Sequence, residues 1–241
     1  MLLKEKTLLK CLLLFYWIVL SIATHIPVPG WVPAMGMSDK TMHYFAFFSL
    51  AVLVWAGFVF DKKVNWFKPK VWFFLGILLL YGILDEVTQS FIGRGANLYD
   101  LAADIIGAAG GFLVLTFLSV PAGLLVLINL AVFVLPYLAK AGILNIAAPL
   151  EFISYFLAFS ALALSWIGYL KKTFDYCMAG WEIVLSSAAF SFFVLNGVMF
   201  YSNWNNGHFG GKLYLASLAG IVLATVLFVL RQGIKRKKPA D

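Results

Sequence analysis

The sequence predicts an all-α protein, a polytopic transmembrane helical bundle of about eight spans with both termini in the cytoplasm. Three observations predict it. The 241-residue chain is 63% hydrophobic and only 12% charged, with a mean hydropathy of +0.93, outside the balance of a soluble globular domain. Apolar runs of about 20 residues, the length that crosses a bilayer as a helix, recur along it. Its lysines and arginines gather in alternate connections between those runs.

The first run, Leu8–Thr24, follows Lys4 and Lys6 and has Lys10 in its first turn. Ser21-Ile22-Ala23 would suit signal cleavage, but the run is long for the apolar region of a secretory signal and reads as a retained span. His25–Gly36 carries three prolines and Trp31, so it reads as an external loop with an interfacial aromatic anchor. The second and third spans are Thr41–Phe60 and Val71–Phe91, and the fourth is Tyr99–Ser119. After the uncharged Ser119–Gly123 turn come Ala122–Ala139, Pro149–Leu170, Ala179–Tyr201 and Leu213–Leu230, with Ser202–Gly211 a turn-rich external connection. Each span must be helical, because the bilayer interior offers the backbone no water.

Basic residues orient the bundle. With the N-terminus inside, the cytoplasmic segments hold Lys4, Lys6, Lys10, Lys62, Lys63, Lys68, Lys70, Lys171, Lys172, Arg231, Lys235, Arg236, Lys237 and Lys238. Only Lys40, Arg94, Lys140 and Lys212 of the 18 basic residues remain outside, which is the positive-inside pattern. The net charge of +7 is therefore topological; the closing run Ile234–Lys238 anchors to anionic lipid, and no nucleic-acid partner is expected. Cys11 and Cys177 imply no disulfide framework. The chain divides near Pro121 into 1–120 and a second four-span unit, 121–241, whose Lys140, Glu151, Glu182 and His208 are scattered in apolar scaffold.

The first unit holds nearly all the intramembrane charge: Asp39, Lys40, His43, Asp85, Glu86, Gln89, Arg94, Asp100 and Asp104, at the outer ends of three spans. Ionisable groups near hydrocarbon are costly and mark a functional site by default. Ser38 is a candidate N-cap, and Asp39 suits the positive end of a helix dipole. Asp39 and His43, four apart, share a face; Lys40 points away and snorkels. Tyr81, Asp85 and Gln89 follow four-residue spacing, whereas the adjacent Asp85 and Glu86 are expected on different faces. Asn97 would cap the fourth span with Asp100 answering at N3. Below Asp100 and Asp104, Ala103, Gly107 and Gly111 form a small face for close helix packing. Asp104 is expected to face Glu86 or Arg94. Arg94, in the turn Gly93-Arg94-Gly95, has two readings, salt-bridge partner of Asp100 or Glu86 and ligand for phosphate or carboxylate.

Asp39-Lys40-x-x-His43, Tyr81-Gly82, Glu86, Gln89, Arg94, Asp100, Gly107 and Gly111 together resemble the VanZ-like family of bacterial membrane proteins, named for a protein associated with teicoplanin resistance. The resemblance covers about the first 120 residues. It implies a four-helix VanZ-like unit, a bacterial plasma-membrane location and a link to the cell envelope or glycopeptide resistance, without supplying a reaction. Asp104 departs from it, because asparagine is more usual there.

Three functions follow as expectations. In the first, an outward-facing pocket binds an anionic or lipid-linked head group, through Asp39, Lys40, His43, Glu86, Gln89, Arg94, Asp100 and Asp104. Membrane lipids, including lipid-linked envelope precursors, are then the partners. In the second, His43 and Glu86 act as general base and acid on an envelope lipid; no nucleophile motif accompanies them. In the third, the charges only lock helices together. No cofactor or resident metal is expected, since no His/Cys pair has zinc-ligand spacing; a hard divalent cation on the carboxylates with His43 is the weaker alternative.

Overall fold

The computed structural model describes residues 2–25, 38–60, 62–91, 95–140, 148–174, 180–204 and 209–236. Among them are eight α-helices and no strand: α1 (Leu2–His25), α2 (Asp39–Phe58), α3 (Pro69–Phe91), α4 (Leu98–Phe117), α5 (Val120–Lys140), α6 (Ala148–Phe174), α7 (Gly180–Trp204) and α8 (Gly211–Arg236). Six are long and apolar enough to cross a membrane, namely α2, α3, α4, most of α6, α7 and most of α8. The chain is a multi-pass helical membrane protein. Its outward apolar surface fits that solvent: Phe15, Phe73, Phe193 and Leu215 are each more than 60% exposed, costly in water and neutral in hydrocarbon. Trp31, Arg94, Cys177, His208 and the expected loop residues 26–36 lie outside the described residues.

Chain contacts separate two compact units, Met1–Leu124 and Leu125–Asp241. In the first, α2 and α4 make the most extensive helix contact and run parallel. Any Cβ on Gly107 would collide with the Tyr44 carbonyl, and one on Gly111 would stand 2.6 Å from the Phe48 carbonyl oxygen. The small face of α4 thus admits the α2 backbone itself, as small residues four apart do in membranes. Ser38 caps α2, its Oγ accepting the Thr41 N–H. α1 and α3 run antiparallel to this pair, joined to it by the Tyr16 hydroxyl donating to the Ala46 carbonyl and by the Phe47–Tyr81 ring stack.

The other end of the unit is tied by the connection between α2 and α3. Trp55 Nε1 donates to the Lys62 carbonyl, Val64 N–H to the Leu115 carbonyl, and Trp66 Nε1 to Thr116 Oγ1. Lys63 Nζ donates to the Phe117 carbonyl at 2.7 Å, satisfying one of the acceptors left open where α4 ends. Tryptophans and lysines are the side chains that suit a membrane–water boundary.

In the second unit, α6, α7 and α8 pack on one another around Tyr155, Phe159, Leu162, Leu195 and Val198. Two hydroxyls cross between helices: Ser187 Oγ donates to the Ala163 carbonyl and Ser160 Oγ to that of Gly220. Trp166 stacks on Phe190 with centroids 4.0 Å apart.

Candidate functional site

Parallel α2 and α4 begin, and antiparallel α1 and α3 finish, at the same end of the first unit, so four helix termini converge there. The two N-termini supply positive dipole ends to acidic side chains, and the α1 C-terminus suits His25 in its last turn. Helix direction therefore makes this end hospitable to the charges that the sequence places in it.

His43 and Asp104 form its centre. Nδ1 of His43 lies 2.9 Å from Asp104 Oδ1, with both side chains almost wholly buried. A carboxylate offers only lone pairs, so Nδ1 carries the shared proton. Asp104 was expected to face Glu86 or Arg94; its hydrogen-bond partner is His43, because the glycine face of α4 brings the first turns of α2 within reach. Gly82 of α3 packs against the same carboxylate, a Cβ there standing 3.1 Å from Asp104 Oδ2.

Lys40 also turns toward α4. Its Nζ lies 3.8 Å from Asp100 Oδ1 and 5.9 Å from the Tyr99 ring centroid. The simple snorkelling expected for it gives way to pairing with a carboxylate on the neighbouring helix. Asp100, engaged there, does not complete the cap of its own helix. Asn97 Oδ1 accepts the Tyr99 N–H, while the Asn97 backbone N–H goes to Glu86 Oε2 at 2.7 Å. An α3 side chain thus performs the reciprocal half of the capping box across the helix interface.

Asp85 and Glu86, expected on different faces, are both buried. Residues one apart diverge by about 100° around a helix, but α3 has neighbours on two sides. Asp85 turns toward α1, where Thr24 Oγ1 donates to its Oδ1, and Gln89 Nε2 donates to its Oδ2, both at 2.7 Å. Glu86 turns toward α4. One oxygen from each nevertheless lies within 4.8 Å of a His43 ring nitrogen and of each other. Asp39, His43 and Asp100 form a second such group, so the Asp39–His43 face of α2 meets α4. Asp39 is partly buried; Gln89 is buried on Asp85; Arg94 lies outside the described residues.

The contribution of α1 escapes the sequence reading. Besides Thr24, His25 lies in the helix rather than in a loop, with Nδ1 donating to the Ser21 carbonyl and Nε2 2.8 Å from Thr88 Oγ1. Ser21 Oγ is 3.0 Å from the Tyr81 hydroxyl. The signal was present in Ser21, Thr24 and His25, three polar residues at helical spacing at the end of an apolar run.

Buried acceptors remain. Glu86 Oε1, Asp100 Oδ1 and Asp104 Oδ2 have no hydrogen-bond donor among the described residues; a buried lone pair without a donor is costly. On the other side of Asp104 lies an apolar cleft of about 260 Å³ between α3 and α4, lined by Trp72, Leu75, Gly76, Leu79, Ile105 and Ala108 among others. No family model, curated protein or solved structure matches the chain.

Proposed function

We propose that the chain is a VanZ-like integral membrane protein of the bacterial plasma membrane, linked to the cell envelope, whose outward-facing pocket at the converging ends of α1–α4 binds the phosphate-bearing head group of a lipid or lipid-linked precursor. It crosses the membrane eight times with both termini cytoplasmic, a reading supported by the lysine and arginine distribution. The family reading, and with it a role in glycopeptide resistance, rests on the residue pattern from Asp39 to Gly111.

The observation that carries the head-group reading is the pair of buried acceptors without a donor, Glu86 Oε1 and Asp104 Oδ2, with Asp100 Oδ1 beside them held only by its 3.8 Å ion pair to Lys40, at one end of an otherwise apolar bundle. Sugar or glycerol hydroxyls are the donors that such acceptors want, and Lys40 and Arg94 are the cations for a phosphate. The cleft beside Asp104 runs along the apolar flank of α3 and α4, so an alkyl or prenyl chain lying in it brings its head group to the cluster.

Titrating the purified protein with a polyprenyl phosphate in detergent tests the reading. Saturable binding is expected, weakened at least tenfold in Lys40→Ala and Arg94→Ala and reduced in Gly76→Leu, which fills the cleft. No binding by the wild-type protein contradicts it. One observation favours a purely structural role instead: Asp85, Asp100 and Asp104 each already have a protein partner. Under that reading Glu86→Gln keeps full function and stability.

A further inference from the structure

We propose that His43, Asp85 and Glu86 form a binding site for a divalent first-row cation of the Mn2+ or Zn2+ class. Three side chains from two helices each offer one ligand atom, and those atoms lie within 4.8 Å of one another. All three residues are at least 94% buried. Glu86 reaches this group with one oxygen, Oε2, spent on the Asn97 N–H and the other, Oε1, without a donor. An ionised carboxylate oxygen in that state is costly in an apolar bundle; a proton or a cation removes the cost, and the ligand atoms of His43 and Asp85 beside it suit a cation.

The surroundings are those of a metal site as well. Coordinating histidines nearly always give their other ring nitrogen to a carboxylate or carbonyl, which fixes the tautomer and turns the remaining lone pair toward the metal. Asp104 does this for His43 by taking Nδ1 at 2.9 Å, which leaves Nε2 as the coordinating atom. Asp85 is oriented in the same manner by Thr24 and Gln89, each bond leaving its oxygens a lone pair to donate. One imidazole with two carboxylates suits first-row cations that accept mixed nitrogen and oxygen ligands over Mg2+ or Ca2+, which take all-oxygen sets.

The cation also resolves an electrostatic difficulty. Asp85, Glu86, Asp100 and Asp104 gather at the end of the unit that also holds His25, His43 and Lys40, and ionised carboxylates there oppose the approach of a phosphate that Lys40 and Arg94 attract. A divalent ion on the triad would cancel the charge of Asp85 and Glu86 and offer a cation to a phosphate oxygen. This last link rests on the head-group reading; the cation site does not.

Equilibrium dialysis of the delipidated full-length protein against Mn2+ or Zn2+, followed by elemental analysis, tests the site. About one equivalent per chain is expected for wild type and for Glu151→Gln, with affinity reduced at least tenfold in Glu86→Gln and Asp85→Asn. Pulsed electron paramagnetic resonance of the Mn2+-loaded wild type should show a coordinated imidazole nitrogen, a readout that needs no variant to fold. Wild-type protein that retains no stoichiometric metal, a Glu86→Gln variant that binds as tightly as wild type, or Mn2+ without a nitrogen ligand each overturns the proposal. Metal retained where no polyprenyl phosphate binds upholds the cation site and removes only the head-group reading.

Discussion

Asparagine at position 104 still offers an acceptor to the Nδ1–H of His43, whereas alanine leaves that imidazole buried with nothing to receive its proton. Stranding a buried donor costs about 1–3 kcal/mol, and a chain of this length melts roughly 2–4 °C lower for each kcal/mol lost. Asp104→Asn should therefore melt within about 3 °C of wild type in detergent and Asp104→Ala clearly lower. Equal melting of all three would mean that the pair contributes nothing. Thr24→Val makes the parallel test on α1. It keeps the shape and removes the hydroxyl that donates to Asp85 Oδ1, so a loss of about 1–3 kcal/mol is expected, with Thr24→Ser recovering most of it. Such assignments lie beyond a sequence reading for a plain reason. Four-residue spacing says which side chains share a face of one helix, and nothing about which helix that face meets. Lys40 and Asp100, on different spans, carry no mutual signal until α2 lies against α4.

The helices were more legible than their partners. Apolar runs locate the eight helices among the described residues, six of them long and apolar enough to cross a membrane, because hydrocarbon demands both the composition and the helix, and Ser38 and Asn97 announce their caps. The expected boundaries stop short where polar residues continue the helix, as at His25 and at Trp204. Gly107 and Gly111 were legible as a packing face, although the sequence does not say that Tyr44 and Phe48 fill it. Gly107→Val would drive a branched side chain into the Tyr44 carbonyl and must part α2 from α4, taking the His43–Asp104 bond with it. A melting temperature lower by 10 °C or more, or failure to accumulate in the membrane, is expected. Gly168→Ala is the contrast: a Cβ there meets nothing within 4 Å, and higher helix propensity leaves the protein as stable or more so. If Gly107→Val were as well tolerated, the close approach of α2 and α4 would be wrong. The neighbouring acids Asp85 and Glu86 show the limit of helical-wheel reasoning. Their 100° divergence is real, but a helix flanked by α1 on one side and α4 on the other buries both.

At the scale of the whole molecule, the proposed head-group site requires the polar end to face outward, the orientation that the positive-inside pattern predicts. Single cysteines in a chain otherwise lacking them (Cys11→Ser, Cys177→Ser) read it directly. Ser38→Cys should react with a membrane-impermeant maleimide on intact cells, and Asn65→Cys only after permeabilisation; the reverse pattern would turn the site to the cytoplasm and leave no route to an outer head group. The measurement that bears most directly on the account is native mass spectrometry of the gently purified protein, wild type against Arg94→Ala. A phosphate-bearing lipid should accompany the wild-type chain at about one per protein and be lost or much depleted in the variant. A wild-type chain that carries no such lipid, or an Arg94→Ala chain that carries as much, would contradict a head-group pocket at this end of the bundle.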